Sequence, residues 1–125
     1  GDWRDEALEL ARNCIGDDDA EIGDAGLCHG TTGAMHLFAR FAHATGERAF
    51  ADAARHWLDR TFAMRRPGEA YAGFPSMRAA GDNTFEADAS MLTGAAGVGL
   101  ALHAMISTIE PSWDRVLLVD IGPDI

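Results

Sequence analysis

Asp24-Ala25-Gly26-Leu27-Cys28-His29-Gly30-Thr31-Thr32-Gly33 recurs 64 residues later as Asp88-Ala89-Ser90-Met91-Leu92-Thr93-Gly94-Ala95-Ala96-Gly97. Asp, Ala and both glycines are identical, Leu27 is matched by Met91, and each copy runs straight into an apolar segment. Self-similarity at a fixed offset is the mark of a repeat architecture. The segment after the first copy, Ala34 to Ala44, is apolar almost all the way round, and Val98 to Ile109 carries no charged side chain. Helices of that composition belong inside a protein. Between them, Glu47 to Met64 places Phe50, Ala54, Trp57, Leu58 and Phe62 on one stripe and Arg48, Asp52, Arg55 and Asp59 on the other side. That helix faces water on one side. A buried helix paired with a half-exposed one is a hairpin, and stacked hairpins give an all-α fold of helical-hairpin repeats with inner and outer helix layers.

Gly30 with Gly33, and Gly94 with Gly97, open the two inner helices, where a missing side chain lets neighbouring backbone approach closely. In the second copy they serve packing alone, since Leu92 and Thr93 stand where the first copy has Cys28 and His29.

Working outward, Trp3 to Ile15 reads as an amphipathic helix with Trp3, Ala7, Leu10, Ala11 and Cys14 on its apolar stripe. Gly16-Asp17-Asp18-Asp19 suits a solvated turn and lacks the spaced ligands of a calcium loop. Thr45-Gly46 stops the first inner helix. Arg65 to Ala87, with Arg66-Pro67-Gly68 and Gly73-Phe74-Pro75, reads as a long ordered loop. Pro111 stops the last apolar helix, and Val116-Leu117-Leu118-Val119 is compatible with helix or strand.

The 125 residues suffice for one small core. Twenty acidic side chains oppose ten basic ones, all arginine, for a net charge of −10. Such a chain repels phosphate, which excludes a nucleic-acid binder. Its longest apolar stretch is about 12 residues, short of the roughly 20 that span a membrane. Two cysteines in unlike surroundings do not form a disulfide scaffold, so a soluble, cytoplasmic protein is expected.

Cys28-His29 is where the repeats differ chemically. Thiolate sulfur and imidazole nitrogen are preferred zinc ligands, and the start of a helix favours negative charge. Zinc requires at least three protein ligands. His36 and His43 follow His29 at intervals of seven, each about 10 Å of helix rise, too far for joint ligation. Both are expected to be hydrogen-bonded histidines on a buried helix, Cys14 a core residue, and His56 outward-facing, while His103 has no evident partner. No acid–base or nucleophile–base pair assembles from these residues.

Leu27-Cys28-His29-Gly30-Thr31-Thr32-Gly33, the helix ending in Arg65-Arg66-Pro67-Gly68, Leu92 to His103, and Trp113-Asp114-Arg115-Val116-Leu117-Leu118 together resemble the C-terminal third of lanthionine synthetase C proteins, the stand-alone cyclases of class I lanthipeptide biosynthesis. The resemblance covers residues 3 to 119. It implies an α/α toroid with a catalytic zinc at its mouth, two of whose ligands carry over to Cys28 and His29. The third ligand is implied to be a cysteine in a Trp-Cys-x-Gly setting, and that cysteine and the acid–base residues belong to a part of the family's sequence preceding this chain. Residues 1–125 are therefore expected to be one incomplete domain, inactive alone and prone to self-association.

The chemistry implied is addition of a peptide cysteine thiol to dehydroalanine or dehydrobutyrine, forming a thioether ring. The implied partners are a dehydrated precursor peptide and the dehydratase and transporter of the same antibiotic-biosynthesis pathway. Two readings compete with this one. In the first, the chain is a non-catalytic helical-repeat module that grips a peptide and uses Cys28 and His29 for packing. In the second, it is a receptor-like relative of the cyclases that keeps the toroid without the chemistry.

Overall fold

The computed structural model describes residues 2–17, 22–79 and 83–122. Four α-helices, α1 (Trp3–Asn13), α2 (Thr31–Thr45), α3 (Arg48–Ala63) and α4 (Ala95–Ile106), form the body. A two-stranded antiparallel pair, β1 (Ser76–Met77) and β2 (Phe85–Glu86), lies within the long loop, and a 3-10 helix spans Ser112–Leu117. Among the described residues the protein is all-α apart from that pair. Among the described residues no helix is long and apolar enough to cross a membrane.

The repeat is visible in the backbone. Gly30 caps α2 with φ −110° and ψ −171°, and Gly94 caps α4 with φ −114° and ψ −170°. The Asp24 carbonyl accepts from Thr31 N–H at 3.1 Å, and the Asp88 carbonyl accepts from Ala95 N–H at 2.9 Å. Each aspartate also uses Oδ1 to accept the N–H two residues on, from Gly26 at 2.9 Å and from Ser90 at 2.7 Å. A Cβ at Gly33 would overlap the Leu27 carbonyl oxygen, and one at Gly97 would overlap that of Met91, the matching position. The glycines are there because a loop carbonyl crosses the first turn of each inner helix.

Both inner helices begin three residues earlier than their apolar runs suggest, because the small residues after Gly30 and Gly94 already form the first turn. α2 ends where Gly46 takes the left-handed φ of 71° and its N–H reaches Ala42 O at 2.8 Å. α4 stops at Ser107, before Ile109 and Pro111. Ser107 adopts an extended backbone and its hydroxyl accepts from Ile109 N–H at 3.0 Å, competing with helix continuation. The second hairpin thus keeps its inner helix, and a short 3-10 turn, not a full α-helix or a strand, follows it.

α2 packs on α3 on one side and on α4 on the other. Met35, Phe38, Phe41, Phe50, Ala53, Ala54, Trp57 and Ala101 fill the shared core with Leu8, Ala11 and Leu27. Phe41 and Phe50 stack with centroids 5.2 Å apart. On α3 the buried stripe ends in Thr61 and leaves Phe62 54 % exposed. Spacings of three and four from Phe50 through Ala54 and Trp57 arrive at 61, one position short of Phe62. Thr61 donates to Trp57 O at 2.9 Å and accepts from the Thr31 hydroxyl at 2.7 Å, pinning the outer helix to the start of the inner one.

The apolar stripe of α1 is corrected by the structure. Leu8, Ala11 and the partly buried Ile15 face the core, whereas Trp3 is 86 % exposed and Leu10 66 %. Cys14 is the exposed C-cap of α1 and not a core residue. α1 carries apolar side chains on two faces, and the docking contact selects one of them. Arg12 closes that contact with a fork onto Glu47, the residue capping α3. Of the acidic run, Asp18 and Asp19 lie outside the described residues.

Candidate functional site

Cys28 and His29 immediately precede the cap of α2, on the loop that the repeat builds twice. Both side chains are exposed. The loop is fixed from both sides. Cys28 N–H donates to the carbonyl of Leu92 at 2.8 Å, so equivalent positions of the two copies are bonded directly to each other. From the long loop, Ser76 Oγ donates to the Thr93 carbonyl and Met77 N–H donates to Asp24 Oδ2 at 2.9 Å.

The two candidate ligands border a cavity of about 500 Å3 whose walls include Leu27, Leu37, Leu92, Leu117 and Val119. His29 also faces a second hollow, of about 470 Å3, edged by Met77, Arg78, Glu86 and Asp88. The floor under His29 is Asp24, whose side chain is 1 % exposed and whose Oδ2 stands 3.8 Å from His29 Nε2. Asp24, Ser76, Met77, Leu117 and Val119 carry no motif that singles them out, and only the aspartate's recurrence at position 88 points to it.

Cys28 and His29 offer donor types that zinc takes, a thiol sulfur and an imidazole, adjacent in the chain, exposed and bordering a cavity. Among the described residues no group of three His, Cys, Asp or Glu is placed to hold a metal ion. Cys14 lines neither hollow.

The remaining histidines separate. His36 is 3 % exposed and hydrogen-bonded, as its place on a buried helix implies. Burial pushes its imidazole below the ordinary 6.5, against the opposing pull of Asp114. His43, expected to be buried with it, is exposed where α2 approaches its end. His56 faces outward with its ring edge-on to Trp57, and His103 is exposed on α4.

No curated protein and no solved structure matches the chain. A family model described as lanthionine synthetase C-like protein matches residues 2–118. The match takes in both copies of the repeated loop, the helices they open and the 3-10 helix that follows, and this chain belongs to the lanthionine synthetase C-like family.

Proposed function

We propose that this chain supplies two zinc ligands, Cys28 and His29, to a cyclase that joins peptide cysteines to dehydroalanine or dehydrobutyrine. The observation that carries the reading is the contrast between two loops of one backbone design. The copy with sulfur and imidazole exposes both beside an apolar-walled cavity, and its twin has leucine and threonine there. In the reaction the substrate S–H adds across a carbon–carbon double bond. A C–S bond forms at the β-carbon, and a proton is delivered to the α-carbon by a group outside these residues. A bound zinc ion supplies Lewis acidity that makes the substrate thiol a better nucleophile near neutral pH. Cys28 and His29 are the donors, immediately before the cap of α2. Leu37, Leu92, Leu117 and Val119 give the cavity apolar walls that exclude water from the peptide chain it receives.

A third protein ligand from outside these residues completes the site, and the substrate is a dehydrated precursor peptide handed on by the dehydratase of the same pathway. Two free cysteines suit a reducing cytoplasm. The test is metal analysis of the full-length protein together with a thiol count on its peptide product. Cyclisation consumes thiols without changing mass, so alkylation of the remaining thiols reports it. Stoichiometric zinc and thiol loss, both abolished in a Cys28→Ala, His29→Ala double variant that keeps its helical circular dichroism, support the cyclase. Folded, metal-free protein that still binds the peptide would replace it with the peptide-binding module.

A further inference from the structure

We propose that Asp24 is a positioning residue for His29: its buried carboxylate holds Nε2 of the ring and so presents Nδ1 to the metal. The inference rests on the zinc reading above and goes beyond it by assigning the ring nitrogen and the group that orients it. The two copies of the loop carry it. In the second copy, Asp88 Oδ1 accepts from Ser90 N–H at 2.7 Å and Oδ2 accepts from the hydroxyl of Thr93, five residues on, at 2.6 Å. In the first copy, Asp24 Oδ1 accepts from Gly26 N–H at 2.9 Å, and Oδ2 faces His29, again five residues on, at 3.8 Å while also accepting from Met77 N–H at 2.9 Å. One oxygen shapes the turn in both loops, and the other addresses the side chain at the chemically variable position.

Asp24 is also better placed than Asp88 to act as a fixed acceptor. Its side chain is 1 % exposed and anchored by two backbone donors, whereas the His29 side chain is 55 % exposed and has room to move. A ring shift of about 1 Å brings Nε2 within hydrogen-bond length of Oδ2. An imidazole that donates Nε2–H to a carboxylate has its lone pair on Nδ1, and such a carboxylate fixes the orientation of the ring.

The test uses the full-length protein loaded with an NMR-active cadmium isotope in place of zinc and with isotope-labelled histidine. Spin coupling between cadmium and Nδ1 of His29 is the expected result, and coupling to Nε2 overturns the assignment while leaving the metal site standing. Absence of metal at Cys28 and His29 instead removes the zinc reading and this inference with it. In zinc-loaded protein, Asp24→Asn turns an acceptor into an amide donor toward Nε2 and is expected to weaken zinc about 10–100-fold in competition with a chromophoric chelator. Asp88→Asn alters the same place in the loop without a histidine and is expected to weaken zinc by clearly less than Asp24→Asn does. Equal losses in the two variants would make Asp24 a brace of the turn only and overturn the proposal. Should Asp24→Asn fail to fold, the cadmium coupling in the unaltered protein decides.

Discussion

His36 Nε2 donates a 2.8 Å hydrogen bond to Oδ2 of Asp114 across 78 residues of sequence, tying an inner helix to the 3-10 helix near the end of the described chain. The pair is dry, with His36 3 % exposed and Asp114 fully buried. Arg40, one turn along α2, stands 3.1 Å from the same carboxylate oxygen and 2.7 Å from Glu110, and Trp113 lies against the imidazole with centroids 4.7 Å apart. Leu117 and Val119, which wall the cavity beside Cys28, follow within five residues of Asp114. The network therefore sets the position of that wall.

Removing the imidazole leaves the buried Asp114 carboxylate with Arg40 as its remaining side-chain partner. His36→Ala is expected to destabilise the protein by about 3 kcal/mol, the range for breaking a buried charged or hydrogen-bonded pair. Denaturant unfolding monitored by far-ultraviolet circular dichroism measures it, and a loss below about 1 kcal/mol, the size of an ordinary exposed pair, would contradict the burial argument.

Stability is expected to fall with acidity in two stages. Burial holds His36 below its ordinary 6.5, so the unfolded chain takes up its proton first and the native state loses ground as pH drops through 6.5. The Arg40 hydrogen bond holds the Glu110 carboxyl below its ordinary 4.5, so that contribution is intact above 4.5 and disappears below it. Thermal melts between pH 8 and about pH 3 are expected to show a plateau above about pH 7 and then a decline. In His36→Gln the first stage of the decline should be missing while the second remains.

Two glycines two residues apart on α4 are expected to respond with opposite signs. A Cβ at Gly97 would overlap the Met91 carbonyl and press on Leu27 Cβ at 3.0 Å, so Gly97→Ala should cost about 1–3 kcal/mol. Gly99 has open space around it in the helix interior, so Gly99→Ala should stabilise by about 0.5–1 kcal/mol. Comparing the two midpoints of chemical unfolding checks both, and a gain at Gly97 would refute the close crossing of loop and helix.

Outside the core, Trp3, Leu10, Ile106, Ile109, Val116 and Leu118 are each at least 66 % exposed. Expressed by itself, the 125-residue chain is expected to sediment above monomer mass, because water-exposed apolar faces of this kind associate. A monodisperse monomer in sedimentation velocity at micromolar concentration would count against that expectation.

What could be read from the residues followed from local rules. The duplicated loop, the first inner helix, the outer helix with its Arg48–Asp52 pair at 3.7 Å and the glycine stop at 46 all declare themselves through spacing and composition. α4, whose charge-free sequence reads as a buried helix, instead buries Gly97, Val98 and Ala101 and leaves Ile106 87 % exposed, because among the described residues it packs chiefly on α2. Legibility failed where a distant contact decides. α1 offers Trp3, Ala7 and Leu10 as readily as Leu8, Ala11 and Ile15, and the surface it docks on makes the choice. Asp114 gives no local sign of its partner on α2, and Asp24 looks like a turn residue until His29 is placed above it. The strand pair in the long loop is too short to leave a periodic trace.

The bond from Cys28 N–H to the Leu92 carbonyl gives the chemically plain copy of the loop a share in the work of the other. What position 28 borrows from position 92 is main chain, which every amino acid carries. Evolution can therefore repaint the side chain at 92 without disturbing its reactive sibling, whereas proline at 28 would erase the N–H and unmoor the pair. A duplication of this kind lets one half specialise while its twin stays on as foundation.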